Sequence, residues 1–397
     1  MINIYYQLIF VKMYNSWVEI SQSAILHNLA QYKRIIGSKV AVMPIVKSNA
    51  YGHGMIEVAK LVAPKVKWLG VVNLAEALEL RRNNIRKRIF VLSYVQPNLL
   101  EQGIKQTIEL PVYGLQFAKE VSRVDRKLRK TAKIHIKIDT GTSRLGILAK
   151  DAINLIKKVN QLPNLKIEGI WSHFAASEEN QKYTKFQLDQ FNKILDKLDQ
   201  SGIKIPYKHF ACSAATLVNK DSHFNLIRLG ISLYGLWPSE QIKKITLKEY
   251  YWFRLKPALI WKAKIIQVKE ISKGIKVGYG CTYAAPKRIK MAVVAAGYWE
   301  GYDRHLSNPP TTSFRRAGKG EILVAGKRCP VIGRVCMNLT MVDVSKVKNV
   351  KSGEEVVLLG KQGREEVSVE ELAEKIGAIN YEVVDRINPL LQRIYLK

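Results

Sequence analysis

Between residues 40 and 235 the chain alternates short β-rich runs with stretches of helical period, and this rhythm restricts the fold more than any other feature of the sequence. The runs are "VAVMPIVK" (40–47), "WLGVVN" (68–73), "IFVLSY" (89–94), "LPVYG" (110–114), "KIHIKID" (133–139), "IEGIWSHF" (167–174), "KHFACS" (208–213) and "IRLGISLYG" (227–235). Between them lie segments such as "AEALELRR" (75–82), "LQFAKEVSRVDRKLRK" (115–130), "AKDAINLIKKVNQL" (149–162) and "YTKFQLDQFNKILDKLDQ" (183–200), in which apolar residues recur three and four apart. Strand and helix alternating eight times argue for an α/β fold of the (β/α)8 TIM-barrel type, with functional residues expected at the carboxyl ends of the strands.

From about residue 257 the texture changes to strands with few helices, as in "LIWKAKIIQVKEI", "KMAVVAAGY", "EILVAG", "VIGRVCM", "TMVDV" and "EEVVLLG". This predicts a separate, mostly β C-terminal domain. One helix is expected within it, near 368–377, where Ser368 stands three residues before Glu371 as a capping box. Two domains suit 397 residues, since single cores rarely grow beyond about 250–300. The expected organisation is an N-terminal extension over 1–16, a barrel over 17–250 whose first strand is a candidate to join the β domain, and a β domain over 251–397. Met13 opens the first well-patterned segment, so the residues before it read as a disordered extension or a misplaced start.

The opening "MINIYYQLIFVK" is too short to span a membrane and has neither a basic start nor a small-residue cleavage site, so no signal peptide is read. Cys212, Cys281, Cys329 and Cys336 show no C-x-x-C spacing, which argues against a zinc site and a disulfide framework and suits a reducing, cytoplasmic setting. The net charge of +31 attracts nucleic acid or anionic membrane in principle. The basic residues are spread along the chain, however, with only short clusters at 81–88 and 126–130, and no RNA-binding aromatic signature, zinc-finger spacing or basic zipper accompanies them. A solvated basic surface is the better reading, with no membrane and no nucleic-acid partner.

On a barrel, Lys47 follows the first strand, Asp139 to Arg144 the fifth, His173 the sixth and Ser213 the seventh, while the eighth brings Arg228 and Gly230. Barrels often bind phosphate through the loops after strands seven and eight, where small residues let backbone N–H groups approach. A lysine facing such a site across the mouth suggests pyridoxal 5'-phosphate, whose aldehyde forms a Schiff base with a lysine amine. On composition alone each of these residues has a plainer reading: Lys47 a surface charge, Arg144 a surface salt bridge, His173 a satisfied core residue and Tyr279 a packed aromatic in a turn.

The ordered motifs go further. "VKSNAYGHG" (46–54), "WVEISQSAILHNL" (17–29), "KIDTGTSRLGI" (137–147), "GIWSHFAASEE" (169–179), "SAATL" (213–217), "VGYGCTY" (277–283), "GYWEGYDRHLSN" (297–308), "VIGRVCMNLTMVDV" (331–344) and "INYEV" (379–383) resemble the alanine racemase family, and the likeness covers nearly everything from residue 17 onward. The resemblance implies an isomerase of the pyridoxal-phosphate class that interconverts L- and D-alanine, supplies D-alanine for peptidoglycan, and works as a homodimer with shared active sites. It implies that Lys47 carries the cofactor and is one of two bases, Tyr279 of the partner chain being the other. Two bases suit a racemase because protons must be exchanged on both faces of a planar carbanion.

By the same resemblance Arg228 faces the pyridine nitrogen with His173 positioning it, and Tyr51, Ser213, Gly230, Ile231 and Tyr381 hold the phosphate. Arg144 and the backbone of Met337 from the partner chain hold the substrate carboxylate, and Lys137, carbamylated in some members, braces the arginine. The chain departs from the family pattern in three places. Cys212 stands where asparagine is usual, Asn338 where many members have aspartate, and Trp299 with Glu300 turn "GYADG" into "GYWEG". Rival readings are a serine or broad-specificity racemase, a decarboxylase on the same barrel, which Arg228 opposes because such enzymes pair the nitrogen with glutamate, and a non-catalytic pyridoxal-phosphate-binding barrel, which residues 257–397 oppose.

Overall fold

The computed structural model describes residues 14–308 and 320–397, so most of the expected N-terminal extension lies outside the described residues. The described chain divides into two compact units, one comprising residues 24–50 and 55–256 and the other residues 14–23, 51–54, 257–308 and 320–397.

Strand β1 (Ser16–Ser21) falls in the second unit. The first is the barrel, built on β2 (Ala41–Pro44), β3 (Trp68–Val71), β4 (Arg88–Val91), β5 (Leu110–Val112), β6 (Ala132–Asp139), β7 (Leu165–Trp171), β8 (Tyr207–His209) and β9 (Leu226–Leu229). Every pairing is parallel: β9 with β2, β3 with β4, and β5 through β8 in sequence order. Parallel bridges Ile45 to Gly70 and Phe90 to Glu109 join these groups, and Arg228 N donates to Ala211 O across the remaining seam at 3.0 Å. Apolar residues fill the strands because helices cover the outside and side chains fill the inside, so both faces are dry. The helices start where the sequence supplies caps: Asn73 Oδ1 accepts from Glu76 N and Asn180 Oδ1 from Tyr183 N, both at 2.9 Å.

The strands stop earlier than their apolar runs. The runs expected to reach 94, 174, 213 and 235 leave the ladder after Val91, Trp171, His209 and Leu229. Residues past those points form the rim, where the backbone turns away from its neighbours, as in the short 3-10 turn Ile231–Tyr234.

The second unit is mostly β. Its strands of three or more residues after β1 are β10 (Leu259–Ile271), β11 (Ile289–Val294), β12 (Glu321–Val324), β13 (Lys327–Pro330), β14 (Thr340–Asp343), β15 (Glu355–Gln362), β16 (Glu365–Val367) and β17 (Gln392–Leu396). The sheet runs β13-β12-β15-β10-β1-β17, with β11 also on β10, β14 on β11 and β16 on β15. Thus β1 sits between β10, antiparallel, and β17, parallel. The expected helix spans Val369–Ile376, with Ser368 Oγ accepting from Glu371 N at 3.1 Å and Gly377 closing it at φ 69°. A second helix, Asn380–Asp385, follows it where sequence reading expected none. Six residues are too few to display a helical period. Among the described residues no helix is long and apolar enough to cross a membrane.

Candidate active site

Lys47 begins the segment that follows β2, and the backbone after it is unusual. Ser48, Asn49, Ala50 and Tyr51 have φ of 53, 52, 53 and 54°, a turn of left-handed helix containing no glycine. Each such L-residue costs roughly 1–2 kcal/mol, so the surroundings must impose the conformation. Ala50 N donates to Val46 O at 3.0 Å, Ser48 N to Glu76 Oε1 at 2.7 Å, and Met55 N to Asn49 Oδ1 at 3.0 Å. Glu76 is itself fixed, its other oxygen accepting from Val72 N at 2.8 Å. The "SNAYGHG" segment is thereby explained as a clamp on the backbone directly after Lys47. At Gly52, φ is 80° and a Cβ would lie 2.2 Å from Val384 O.

The polar residues expected at the barrel mouth do converge. His173 is held down to about 3, first by burial and then by the positive charges of Arg228, Arg144, Lys137 and Lys47, so the ring is neutral. Lys137 is buried on β6, its Nζ 4.4 Å from the Trp171 ring centroid. Burial, with Arg144 and Arg228 adding to it, lowers its amine to about 8, and Asp139 opposes the shift. Four cations gathered round a neutral imidazole are a donor set for a ligand with several negative charges, as a phosphate plus a carboxylate would supply.

Arg228, on β9, is buried, and both its terminal nitrogens are engaged. Its Nη1 donates to His209 Nδ1 and His209 O at 2.9 Å each, and its Nη2 to Ser172 O at 2.6 Å and Phe210 O at 2.8 Å. His173 Nδ1 lies farther off, at 3.4 Å from Nη2. The close imidazole partner of Arg228 is therefore His209, which sequence reading passed over. Burial lowers the guanidinium to about 10, which leaves it a cation at neutral pH.

Ser213 starts the helix Ser213–Val218, and its Oγ accepts from Gly230 N at 3.0 Å, tying the loops after β8 and β9 together. Ile231 follows, buried. Cys212 occupies the N-cap of that helix without a side-chain cap, its Sγ 3.4 Å from Ser177 Oγ. Arg144 lies in the loop after β6. Asp139 Oδ1 organises that loop by accepting from the backbone N–H groups of Gly141, Thr142 and Ser143 at 2.9, 3.0 and 3.1 Å. Arg144 is exposed and pairs with no carboxylate among the described residues, unlike the plain salt-bridge reading.

The other site residues belong to the β unit. Tyr279 stands on a short turn between Gly278 and Gly280, at φ 71 and 72°, and is 70% exposed, so it is not a packed turn aromatic. Met337 is also exposed, and its carbonyl accepts from Trp299 N at 2.8 Å. Asn338 Nδ2 donates to Glu300 Oε1 at 2.8 Å. Tyr381 is on the unforeseen helix, its ring centroid 6.2 Å from that of Tyr51.

The chain is similar to known proteins over nearly its whole length. The family described as alanine racemase, N-terminal domain, matches residues 20–238, and that described as alanine racemase, C-terminal domain, matches 258–395. An alanine racemase of Methanococcus maripaludis is 40% identical over 96% of this chain and 98% of its own. Among solved structures, the alanine racemase of Clostridium difficile 630 superposes with a TM-score of 0.89 at 33% identity, covering 96% of each chain. A histidine racemase from Leuconostoc mesenteroides gives 0.85 at 29% identity, covering 96% of this chain and 98% of its own.

Proposed function

From its membership of the alanine racemase family, to which this chain belongs, we propose that it interconverts L-alanine and D-alanine with pyridoxal 5'-phosphate as cofactor. The observation that carries the reading is the gathering of Lys47, Lys137, Arg144 and Arg228 about a neutral His173, at a mouth where Ser213 ties the two phosphate-type loops together. Bound there, the cofactor supplies an electron sink that acidifies the α-proton of an attached amino acid.

Lys47 holds the cofactor and, once its amine is released, exchanges the α-proton on one face. Tyr279 of a second copy exchanges it on the other, and its exposure supports that role. Arg228 would present an N–H donor to the pyridine nitrogen and, having no acceptor, could not hold a protonated one, which would keep that nitrogen unprotonated, limit delocalisation and favour return of the proton to the α-carbon. His173 flanks that arginine. Arg144 offers a planar fork to the substrate carboxylate, with the Met337 backbone of a second copy as the other partner. Lys137 braces Arg144, and its lowered basicity suits the carbamylation known in some family members. Tyr51, Ser213, Gly230, Ile231 and Tyr381 take the phosphate, and Asn338 supports the Met337 loop. A homodimer with shared sites, a cytoplasmic location and supply of D-alanine to peptidoglycan are typical of the family and complete the proposal.

Resemblance to a histidine racemase keeps a second reading in view, a racemase of broader or different specificity, serine included. Chiral analysis of L-alanine and L-serine incubated with protein and pyridoxal phosphate decides between them, with Lys47→Ala alongside. D-alanine from the wild type alone supports the proposal. D-serine at a comparable rate supports the broader reading. No D-product from a cofactor-coloured protein overturns both and leaves a binding protein.

A further inference from the structure

The barrel interior contains a hydrogen-bonded row that extends well beyond Arg228. Arg228 Nη1 meets His209 Nδ1 at 2.9 Å, His209 Nε2 meets His135 Nδ1 at 2.9 Å, and His135 Nε2 meets Glu109 Oε2 at 2.9 Å. All four residues are buried, both histidines completely.

The protons of this row follow by elimination. A guanidinium only donates, so His209 Nδ1 accepts, and the single proton of the neutral ring sits on Nε2. That N–H donates to His135 Nδ1, which places the proton of His135 on Nε2, facing the carboxylate. Protonating His209 would set an N–H against the guanidinium, and protonating His135 would set two N–H groups against each other at 2.9 Å. One arrangement satisfies every contact: two neutral imidazoles of the same tautomer, all donating away from the cation and toward the anion.

The surroundings are built to hold it. Glu109 Oε2 also accepts from Trp68 Nε1 at 3.1 Å, and its other oxygen accepts from Arg88 Nε. Burial pushes the Glu109 carboxyl up, but donation from His135 and Arg88 and the positive charge of Arg88 pull it the other way, and the carboxyl stays below its usual range. Phe90 packs against His135 at 4.3 Å between centroids, and Trp171 lies parallel to His209 at 5.6 Å. On β7, Gly169 leaves the space in which the two rings meet, since a Cβ there would lie 2.1 Å from His135 Nδ1.

We propose that Glu109 and His135 are positioning residues for Arg228: through His209 they fix the tautomer whose bare Nδ1 anchors the guanidinium, and so they set how the cofactor's pyridine nitrogen is met. The cofactor half of this inference rests on the function proposed above; the proton arrangement does not.

The test uses full-length, nitrogen-15-labelled protein, with and without pyridoxal phosphate. Long-range proton–nitrogen spectra of the wild type at pH 7 should show both histidines neutral and protonated on Nε2. An Nδ1–H pattern, or a ring carrying both protons, overturns the proposal without any variant having to fold. Glu109→Gln puts an amide donor among donors, and Gly169→Ala crowds the ring pair while leaving every ionisable group in place. Each should mix the tautomers of His209 and weaken cofactor binding, read by fluorescence, roughly tenfold, whereas Glu109→Asp should keep the wild-type tautomer and most of the affinity. Mixed tautomers with unchanged affinity overturn the positioning role. A wild type that holds the tautomers yet binds no cofactor supports the row and overturns the function on which its second half rests.

Discussion

Asn338 donates from its amide to Glu300 Oε1 at 2.8 Å, so two of the positions at which this chain departs from its family are joined to each other. Glu300 also receives Gly297 N on its other oxygen at 2.8 Å, in the segment whose next two N–H groups, Tyr298 and Trp299, donate to Cys336 O and Met337 O. An aspartate at 338 would set two carboxylates at hydrogen-bond distance. Asn338→Asp should therefore lower stability at neutral pH by about 1 kcal/mol, with the loss shrinking as pH falls and one carboxylate takes a proton. Denaturant melts of Asn338→Asp and of Asn338→Asp with Glu300→Gln check this, the double variant recovering most of the loss. Equal stability of the single variant at pH 4 and pH 8 relative to wild type would refute the coupling.

The left-handed turn after Lys47 yields a prediction of opposite sign at one position. Ser48 is exposed at φ 53°, ψ 54°, so its side chain contributes little packing while its Cβ carries the left-handed penalty. Ser48→Gly should stabilise by about 0.5 kcal/mol, strain relief slightly exceeding the added freedom of the unfolded chain, and Ser48→Val should destabilise by about 1–2 kcal/mol. Chemical denaturation measures both. A glycine variant less stable than wild type would mean that the turn is held by more than its backbone contacts.

Lys137 predicts a pH dependence. Burial lowers its amine from 10.5 to about 8 in the folded chain, so between about pH 8 and 10.5 the unfolded chain binds more protons than the folded one. Stability attributable to this residue must then rise with pH across that window and lie at its lowest below pH 8. Lys137→Met, which removes the charge and keeps the stem, should be more stable than wild type by roughly 3 kcal/mol at pH 7, a difference that narrows steadily toward pH 10.5. Paired melts across pH give the difference directly. A constant difference would mean that the amine is not perturbed in the folded state.

How far these features could be foreseen differs by kind. The barrel was legible because parallel strands dry on both faces leave unbroken apolar runs such as "VAVM" and "IFVL", and the helical stretches between them keep their own period. Lys47, Arg228, Ser213 and Gly230 could be found by position, since strand ends on such a barrel share one rim. His135, His209 and Glu109 could not. In "KIHIKID" alternation places His135 and Lys137 together, but nothing local says that this face points into the barrel or that His209, from a run far along the chain, would meet it. The left-handed turn was equally hidden, because "SNAY" contains no glycine and its conformation is imposed from outside by Glu76 and Met55. Tyr381's helix was missed because a single turn and a half carries no periodic signal.

Cys212 gives the last prediction, because the structure offers a reason for the family's asparagine apart from the cofactor. The residue sits at φ −93°, ψ −172°, the extended geometry of an N-cap, yet its thiol caps nothing and rests 3.4 Å from Ser177 Oγ. An asparagine there can accept from the free backbone N–H groups in the first turn of Ser213–Val218, the turn that sets Ser213 against Gly230 N. Cys212→Asn should raise stability by about 1 kcal/mol and protect the amide of Ala215 or Ala214 from hydrogen exchange, and Cys212→Ala should do neither. Exchange measurements on the cofactor-free protein separate this capping from any contact with bound cofactor. If asparagine and alanine behave alike, the family's preference at this position belongs to the cofactor and not to the helix.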